Sequence, residues 1–156
     1  MDARGGMNVL HGIMHAYADW CKPLCQELGM PQMAFDILMF LSSNPELCTA
    51  RDINHHQGFK ENILSVNINK LVSEGYLERQ SVAGDRRKVR LTLTEKAWPI
   101  VTRGNRVLEE FDRLIRAGIA PEDLAVFAKC LRIVGENARR IQGITSCQES
   151  TDEEHI

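Results

Sequence analysis

The sequence predicts a mainly α-helical fold with one small β-hairpin, and two observations carry this prediction. Apolar residues recur at every third or fourth position over most of the 156 residues, as on the buried face of an amphipathic helix. Over residues 76–94 the spacing changes to two, which is typical of strands. The chain has neither a secretory signal pattern nor an apolar run near the roughly 20 residues of a membrane span. We therefore expect one domain, with a cytoplasmic location.

Two helices are predicted at the start of the chain. Apolar spacings of three and four predict a helix over residues 8–28, and Gly29 follows as a stop signal. Pro31 suits the first turn of the next helix, because its missing N–H would have no partner there. The sequence SSNP at 42–45 ends that second helix.

Two short helices joined by a glycine-containing turn are predicted next. Thr49 and Asp52 form a weak capping box for the first, and the sequence HQG at 56–58 breaks it. The second covers about residues 60–74, and Gly75 closes it. This pattern is typical of a helix-turn-helix, in which the second helix reads DNA. The short polar side chains on its expected exposed face suit base edges and phosphates.

The predicted hairpin concentrates positive charge. Its strands cover residues 76–82 and 88–94, and four of the six residues 85–90 are basic, although the formal net charge of the chain is -2. A helix-turn-helix followed by a basic hairpin is the layout of a winged helix, whose wing enters a minor groove with negative potential. Asp85 can hold a neighbouring guanidinium in a fixed orientation through a bidentate pair.

Two long helices are predicted after the hairpin. The first begins at Thr94 and ends near Ala117, with a kink expected near Pro99, about one turn inside it. The second begins at Ala120 and carries an apolar seam with alternating spacings of three and four, as in helices that pack along their length. Residues 145–156 are acidic and nearly lack apolar side chains, which predicts a disordered tail.

Three segments of the chain resemble the MarR family of bacterial transcription regulators. They are TARDI at 49–53, SVNINKLVSEGYLER at 65–79 and GDRRKVRLTLTEKA at 84–97. The family's wing pattern, Asp-x-Arg followed by Leu-Thr, is intact at Asp85, Arg87 and Leu93-Thr94. The resemblance covers about residues 8–143.

The resemblance implies a single domain over residues 1–144. A winged helix-turn-helix at about 31–94 would lie between dimerisation helices at about 8–28 and 95–143. The resemblance implies a homodimer that binds pseudo-palindromic operator DNA as a repressor and that a small-molecule effector releases.

The resemblance also assigns DNA-binding residues. Arg87, oriented by Asp85, is expected to enter the minor groove. The residues expected to face bases are Asn62, Ile63, Ser65, Val66 and Asn67. Those expected to contact or steer phosphates are Lys60, Lys70, Arg79, Arg86 and Lys88. Many members carry an arginine where this chain has Val66, so we expect a different operator, with a shift toward a thymine methyl.

Further residues leave alternatives open. Cys21 and Cys25 are four apart, which permits an oxidation trigger in place of a small molecule, although buried packing is the favoured interpretation. His11 and His15 have the spacing of a shared metal, but polar surface or dimer contacts are favoured and no metal is predicted. The aromatic candidates for an effector pocket are Tyr17, Trp20, Phe40, Phe59 and Trp98.

The sequence contains no enzyme signature. It lacks a G-x-S-x-G motif, a phosphate-binding glycine loop and paired carboxylates on one face. We therefore predict a binding protein without a cofactor. The alternative from another class is a dimeric ligand- or protein-interaction module that keeps this fold without binding DNA.

Overall fold

The computed structural model describes the backbone of residues 3–82 and 85–152, and the side chains of residues 4–81 and 89–141. In chain order its elements are α1 Ala3–Leu28, α2 Gln32–Ser43, α3 Ala50–Gln57, α4 Glu61–Ser73, β1 Leu77–Val82, β2 Asp85–Leu93, a 3-10 helix Glu95–Ala97, α5 Trp98–Ile115 and α6 Pro121–Asp152. The two strands pair as an antiparallel hairpin. The prediction of a mainly helical fold with one small hairpin is confirmed.

The chain divides into two compact units, Met1–Asp112 and Arg113–Ile156. Helix α2 lies at the centre of the first unit, because nearly every side of this helix is apolar. Phe35, Ile37 and Leu38 have no exposed surface at all. Residues from α1, α3, α4, the hairpin and α5 complete this core.

Gly104 allows α5 to pack closely on α2. A Cβ added at this position would lie 2.5 Å from Sδ of Met39 and 2.9 Å from Cε2 of Phe35. Both distances are shorter than the contacts that Cβ atoms make in packed cores, so a side chain at Gly104 would require Met39 and Phe35 to shift or the two helices to separate. The absence of a side chain here is therefore a packing requirement.

Side chains also link α1 to α5 within the first unit. The indole Nε1 of Trp20 donates a hydrogen bond to the backbone oxygen of Val107 at 3.0 Å. Arg103 Nη2 lies 2.6 Å from a carboxylate oxygen of Glu27. This arginine holds the pKa of Glu27 below its usual value, first by its hydrogen bond and then by its charge.

Two helix starts differ from the predictions. Helix α1 begins at Ala3, five residues before the predicted start. Thr94 precedes the 3-10 helix, so that Pro99 becomes the second residue of α5. In the first turn of a helix a missing N–H breaks no intrahelical hydrogen bond, so the kink expected near Pro99 has no cause.

Helix α6 forms most of the second unit. Within the described part of this unit, the apolar seam of α6 lies open to solvent. Its most exposed large apolar side chains are Val126, Phe127, Leu131, Val134 and Ile141. A long helix with an uncovered apolar stripe needs a partner surface to bury it.

The end of α6 differs from the predicted tail. The helix continues to Asp152, so the backbone is helical over residues 145–152, where the sequence predicts disorder. After Gly143 this stretch has no glycine or proline that would end a helix, and acidic composition alone does not end one. The rest of the predicted tail, residues 153–156, lies outside the described residues.

Candidate nucleic-acid interface

Helix α3, the first of the helix-turn-helix, is fixed at its start by a capping box. Thr49 Oγ1 accepts a hydrogen bond from the N–H of Asp52 at 3.1 Å, and the carboxylate of Asp52 accepts one from the N–H of Thr49 at 2.9 Å. Burial acts to raise the pKa of Asp52, but the hydrogen bonds from Thr49, together with the charges of His56 and Arg51, outweigh it and hold the pKa below its usual value. The predicted capping box is confirmed.

Gly58 makes the turn between α3 and α4. Its φ of 66° lies in the left-handed region, which glycine adopts without strain. Its N–H donates to the backbone oxygen of Asn54 at 2.7 Å and so closes α3. The chain can then reverse within three residues and begin α4 at Glu61.

Helix α4 is the candidate reading helix, with one buried and one exposed face. Leu64, Ile68 and Leu71 pack into the core. The exposed face carries Asn62, Ile63, Ser65, Val66, Asn69 and Lys70. Val66, near its middle, is 66% exposed. Within α4 no acidic residue follows Glu61, so this face can approach DNA without charge repulsion.

Asn67 corrects one prediction for the reading helix. It was expected to face bases, but its side chain is only 9% exposed and lies on the same side as Leu64 and Ile68. Its amide nitrogen donates to the backbone oxygen of Ile63 at 2.9 Å and contacts Sδ of Met33 at 3.4 Å. These partners satisfy a polar group that would otherwise be costly to bury. Because asparagine is polar, the apolar pattern of α4 did not reveal that Asn67 belongs to the buried face.

Three of the predicted phosphate ligands lie on the described surface beside this face. Arg79 of β1 donates from Nη2 to the side-chain oxygen of Asn69 at 2.6 Å, so the pair joins the wing to α4. Lys70 lies 3.9 Å from Glu74, an exposed ion pair that contributes little stability. Lys60 is the exposed N-cap residue of α4. All three cations are accessible to a phosphate.

The hairpin β1–β2 forms the predicted wing. Leu77 pairs with Leu93 at its base, and the register shifts near its tip between Ser81 and Val82. The predicted turn includes Ala83 and Gly84, which lie outside the described residues. Strand β2 begins with four predicted wing residues, Asp85, Arg86, Arg87 and Lys88. The structure describes the backbone of these four residues, and their side chains lie outside the described part.

Residues 28–88 match the family model described as the MarR family. In this segment the chain is similar to the MarR family. The segment contains α2, the helix-turn-helix and the beginning of β2, so the resemblance found in the sequence is confirmed over these elements. MarR-family proteins are transcriptional regulators and not enzymes.

Solved structures of MarR proteins share the fold. A MarR transcriptional regulator from Methanosarcina mazei Go1 is 20% identical, with a TM-score of 0.76 over 88% of this chain and 99% of that one. A MarR protein from Peptoclostridium difficile DA00132 is 17% identical, with a TM-score of 0.77 over 90% of each chain. A MarR-family transcriptional regulator from Silicibacter pomeroyi is 19% identical, with a TM-score of 0.74 over 83% and 86%. At these identities the likeness concerns the fold.

A partly buried polar cluster joins α1 to α2. The hydroxyl of Tyr17 donates to Oδ1 of Asp36 at 2.7 Å, and the amide of Gln32 donates to the same oxygen at 2.9 Å. Burial raises the pKa of Asp36, although both hydrogen bonds act to lower it. Burial and the neighbouring carboxylate also raise the pKa of Tyr17 far above its usual value. The cluster therefore keeps a carboxyl group in a poorly solvated place.

Cys21 and Cys25 adjoin this cluster, and both are buried. Burial raises the pKa of Cys21, although hydrogen bonds with Gln32 and Tyr17 oppose the rise. Burial, followed by the neighbouring Cys21 and Asp36, raises the pKa of Cys25 to about 11. Because the thiolate is the reactive form, neither cysteine has the activation that an oxidation trigger requires. The geometry favours a packing role for both.

We expect Asp36→Asn to stabilise the protein at pH 7. The pKa of Asp36 is raised in the folded chain, so folding favours the protonated carboxyl group. The stability that this group contributes is fully present below the unfolded pKa and is lost as pH rises through the folded pKa. Asparagine keeps an acceptor for Tyr17 and Gln32 without the charge. Urea unfolding should give the variant a higher midpoint at pH 7, and the gain should shrink toward pH 4.

Glu27→Gln is the matched control for that experiment, because the pKa of Glu27 is shifted the opposite way by Arg103. Its carboxylate contributes stability above the unfolded pKa, so the glutamine variant should lose stability at pH 7 and not gain it. A lower midpoint for Asp36→Asn at pH 7 would contradict the interpretation that burial of this charge is costly.

The five aromatic candidates for an effector pocket do not line one shared cavity. Trp20 lines a cleft of about 420 Å³ between α1 and α5. Trp98, which is 50% exposed, lines a separate cleft of about 200 Å³ at the base of the wing. Tyr17 belongs to the polar cluster, Phe40 packs 5.8 Å from the ring of His56, and Phe59 packs against the core. These positions place the five residues in different surroundings within the described part of one chain, and their shared effector site stays a prediction.

Metal and membrane sites receive no support from the described residues. Among them, no three histidine, cysteine, aspartate or glutamate side chains are grouped so that they could hold a metal ion. His11 and His15 are exposed on α1. In the same part of the chain, no helix combines the length and the apolar character that crossing a membrane requires.

Two residues that bear on this region had no assigned contact in the sequence-based predictions. Asn69 has no distinctive sequence signal, because exposed asparagines are common on helices. Asp36 does have one, since it is an acid inside the apolar run of α2, QMAFDILMFLSS. An acid in such a run indicates a buried carboxyl group with hydrogen-bond partners.

Proposed function

We propose that the protein is a homodimeric, sequence-specific regulator of transcription that binds double-stranded operator DNA. The observation that carries this proposal is the exposed face of α4. It combines short polar side chains, an exposed valine and a lysine, and it follows a capped α3 and a tight glycine turn. Such a face suits the major groove, where amides can pair with base edges and an apolar group can meet a thymine methyl.

The roles of individual side chains follow from their positions. Asn62, Ile63, Ser65 and Val66 would face bases, and Lys60, Lys70 and Arg79 would contact phosphates. The strand geometry of the wing is consistent with Arg87 in an adjacent minor groove, held by Asp85, with Arg86 and Lys88 near phosphates. Asn67 is excluded from base contact by its burial.

The proposed dimer is supported by uncovered apolar surface in each unit. In the second unit this is the seam of α6. In the first unit it is the N-terminal half of α1, where Met7, Leu10 and Met14 are exposed, the last by 70%. In a two-fold dimer the two reading helices would enter successive major grooves, about 34 Å apart.

We further propose that the dimer acts as a cytoplasmic repressor and that a small-molecule effector releases it. The cleft between α1 and α5 supports this step, because it is bordered by Trp20, Pro23 and Leu24 as well as Arg106. A site of this composition accepts an apolar molecule with a polar group. The raised pKa values of Cys21 and Cys25 make oxidation the less favoured trigger.

A fluorescence anisotropy titration tests the proposal. The duplex is DNA upstream of the protein's own gene, a scrambled duplex is the control, and salt concentration is varied. Tight binding to the first duplex that weakens steeply with salt is expected, because phosphate neutralisation releases counterions. Equal weak binding to both would prompt selection from random DNA, and a failure to enrich any sequence would support the non-DNA alternative.

Arg79→Gln should reduce the salt dependence of binding. If each Arg79 neutralises one phosphate, the slope of log K against log salt should fall by about 0.9 per site and about 1.8 per dimer. Arg103→Gln is the matched control, since it removes the same charge from an exposed arginine paired with Glu27. An unchanged slope for Arg79→Gln would remove Arg79 from the phosphate contacts.

A further inference from the structure

The C-terminal end of the candidate reading helix is held by residues that precede α5. The last carbonyl groups of a helix lack intrahelical donors and carry partial negative charge. Here the ammonium of Lys96 donates to the backbone oxygen of Glu74 at 2.6 Å, and the hydroxyl of Thr94 donates to that of Gly75 at 2.6 Å. The N–H of Thr94 donates to the backbone oxygen of Tyr76 at 3.1 Å.

Lys96 makes a second contact at the same place. Its ammonium lies 4.4 Å from the centre of the Tyr76 ring, within the range of a cation–π interaction. The lysine stem passes beside Gly75 without crowding, because a Cβ added there would lie 4.0 Å from Cδ of Lys96, an ordinary van der Waals separation. Two interactions with different partners restrain this side chain more than a single exposed ion pair would.

The backbone that carries Lys96 is itself anchored. Lys96 lies in the 3-10 helix Glu95–Ala97, and Ala97 has no exposed surface. The next residue, Trp98, begins α5. Lys96 therefore ties the end of α4 to the start of a helix that continues through the core, where Ile100 and Val101 are buried.

We propose that Lys96 is a positioning residue for DNA reading: it fixes the angle of α4 against the start of α5. The inference rests on the proposed function. The exposed side chains of α4 must meet base edges within a few tenths of an ångström, so a helix held at both ends binds with less ordering cost than one that can tilt. Lys96 acts through α4 and does not itself contact DNA.

Lys96→Met in the full-length protein tests this proposal, because methionine keeps an unbranched stem and removes the charge. The probe is a duplex selected from random DNA by the wild-type protein. We expect about five- to tenfold weaker binding, which is less than the full contribution of one charge-assisted hydrogen bond because Lys96 acts on DNA only through α4. The salt slope should equal that of the wild type, the urea midpoint should fall slightly because one intramolecular hydrogen bond is lost, and Lys96→Arg should restore binding to within about twofold.

Each other outcome overturns the proposal. A salt slope that falls by about 0.9 per subunit would make Lys96 a direct phosphate ligand. Affinity equal to the wild type would show that the contact does not position α4, and a loss of affinity fully explained by the fraction of unfolded protein would make its role purely structural. Lys129→Met, on an exposed lysine of α6, controls for net charge. Failure of the proposed function would appear separately, as the absence of any specific duplex for the wild type.

Discussion

Gly104→Val should lower the free energy of unfolding by about 3 kcal/mol, at the upper end of the cost of overpacking a core. Even one added carbon would lie 2.5 Å from Sδ of Met39 and 2.9 Å from Cε2 of Phe35. Phe35 has no exposed surface into which it could move. Valine adds two further carbons, so α5 must separate from α2 or both neighbouring side chains must leave their rotamers. Urea unfolding monitored by circular dichroism measures the effect.

Gly12→Ala is the matched control for that prediction. Gly12 is also helical and in the same unit, but a Cβ added there meets nothing within 4 Å. Alanine should stabilise this position by about 0.5–1 kcal/mol, because it reduces the freedom of the unfolded chain. If Gly104→Val were tolerated as well as Gly12→Ala, the close approach of α5 to α2 would be wrong.

Arg87→Ala should weaken operator binding by about 1–3 kcal/mol, or about 5- to 150-fold, without changing the fold. The physical reason is the negative potential of a narrow minor groove, which attracts an inserted guanidinium. Anisotropy titrations at fixed salt measure the affinity, and circular dichroism verifies that the variant is folded. Arg87→Lys should be intermediate, because it keeps the charge but loses the planar fork.

Arg103→Gln controls for the loss of one positive charge in this comparison as well. It removes an arginine that pairs with Glu27 on α1 and lies on α5, away from the wing sequence. If Arg87→Ala and Arg103→Gln weakened binding equally, the effect would be one of net charge and the wing assignment would fail. A folded Arg87→Ala variant with wild-type affinity would reject that assignment directly.

The sequence predicted the elements that depend on short-range patterns. Thr49 and Asp52 cap α3 as expected, and the change to a period of two at the hairpin identified the wing. Glycines at positive φ end three of the predicted helices, at Gly29, Gly58 and Gly75. These features are local, so neighbouring residues suffice to specify them.

Features that depend on tertiary packing could not be predicted in this way. Asn67 resembles a base-reading residue in sequence, but its amide is satisfied by Met33 from another helix. In the sequence alone, Gly104 is a residue of low helix propensity inside α5. Its packing role is evident only from its close approach to side chains of α2. The role of Lys96 likewise depends on the carbonyl of Glu74, which lies 22 residues earlier in the chain.

The open apolar seam of α6 has a consequence for gene dosage. In the proposed dimer, the apolar seam of α6 is buried only when two subunits pair, and this burial also stabilises the folded second unit. By mass action, the stability of the protein then depends on the concentration of its subunits. A cell that holds only a few copies of the protein would then have a larger share of unpaired subunits, and operator occupancy would fall faster than copy number. Subunit supply would itself regulate the genes under control.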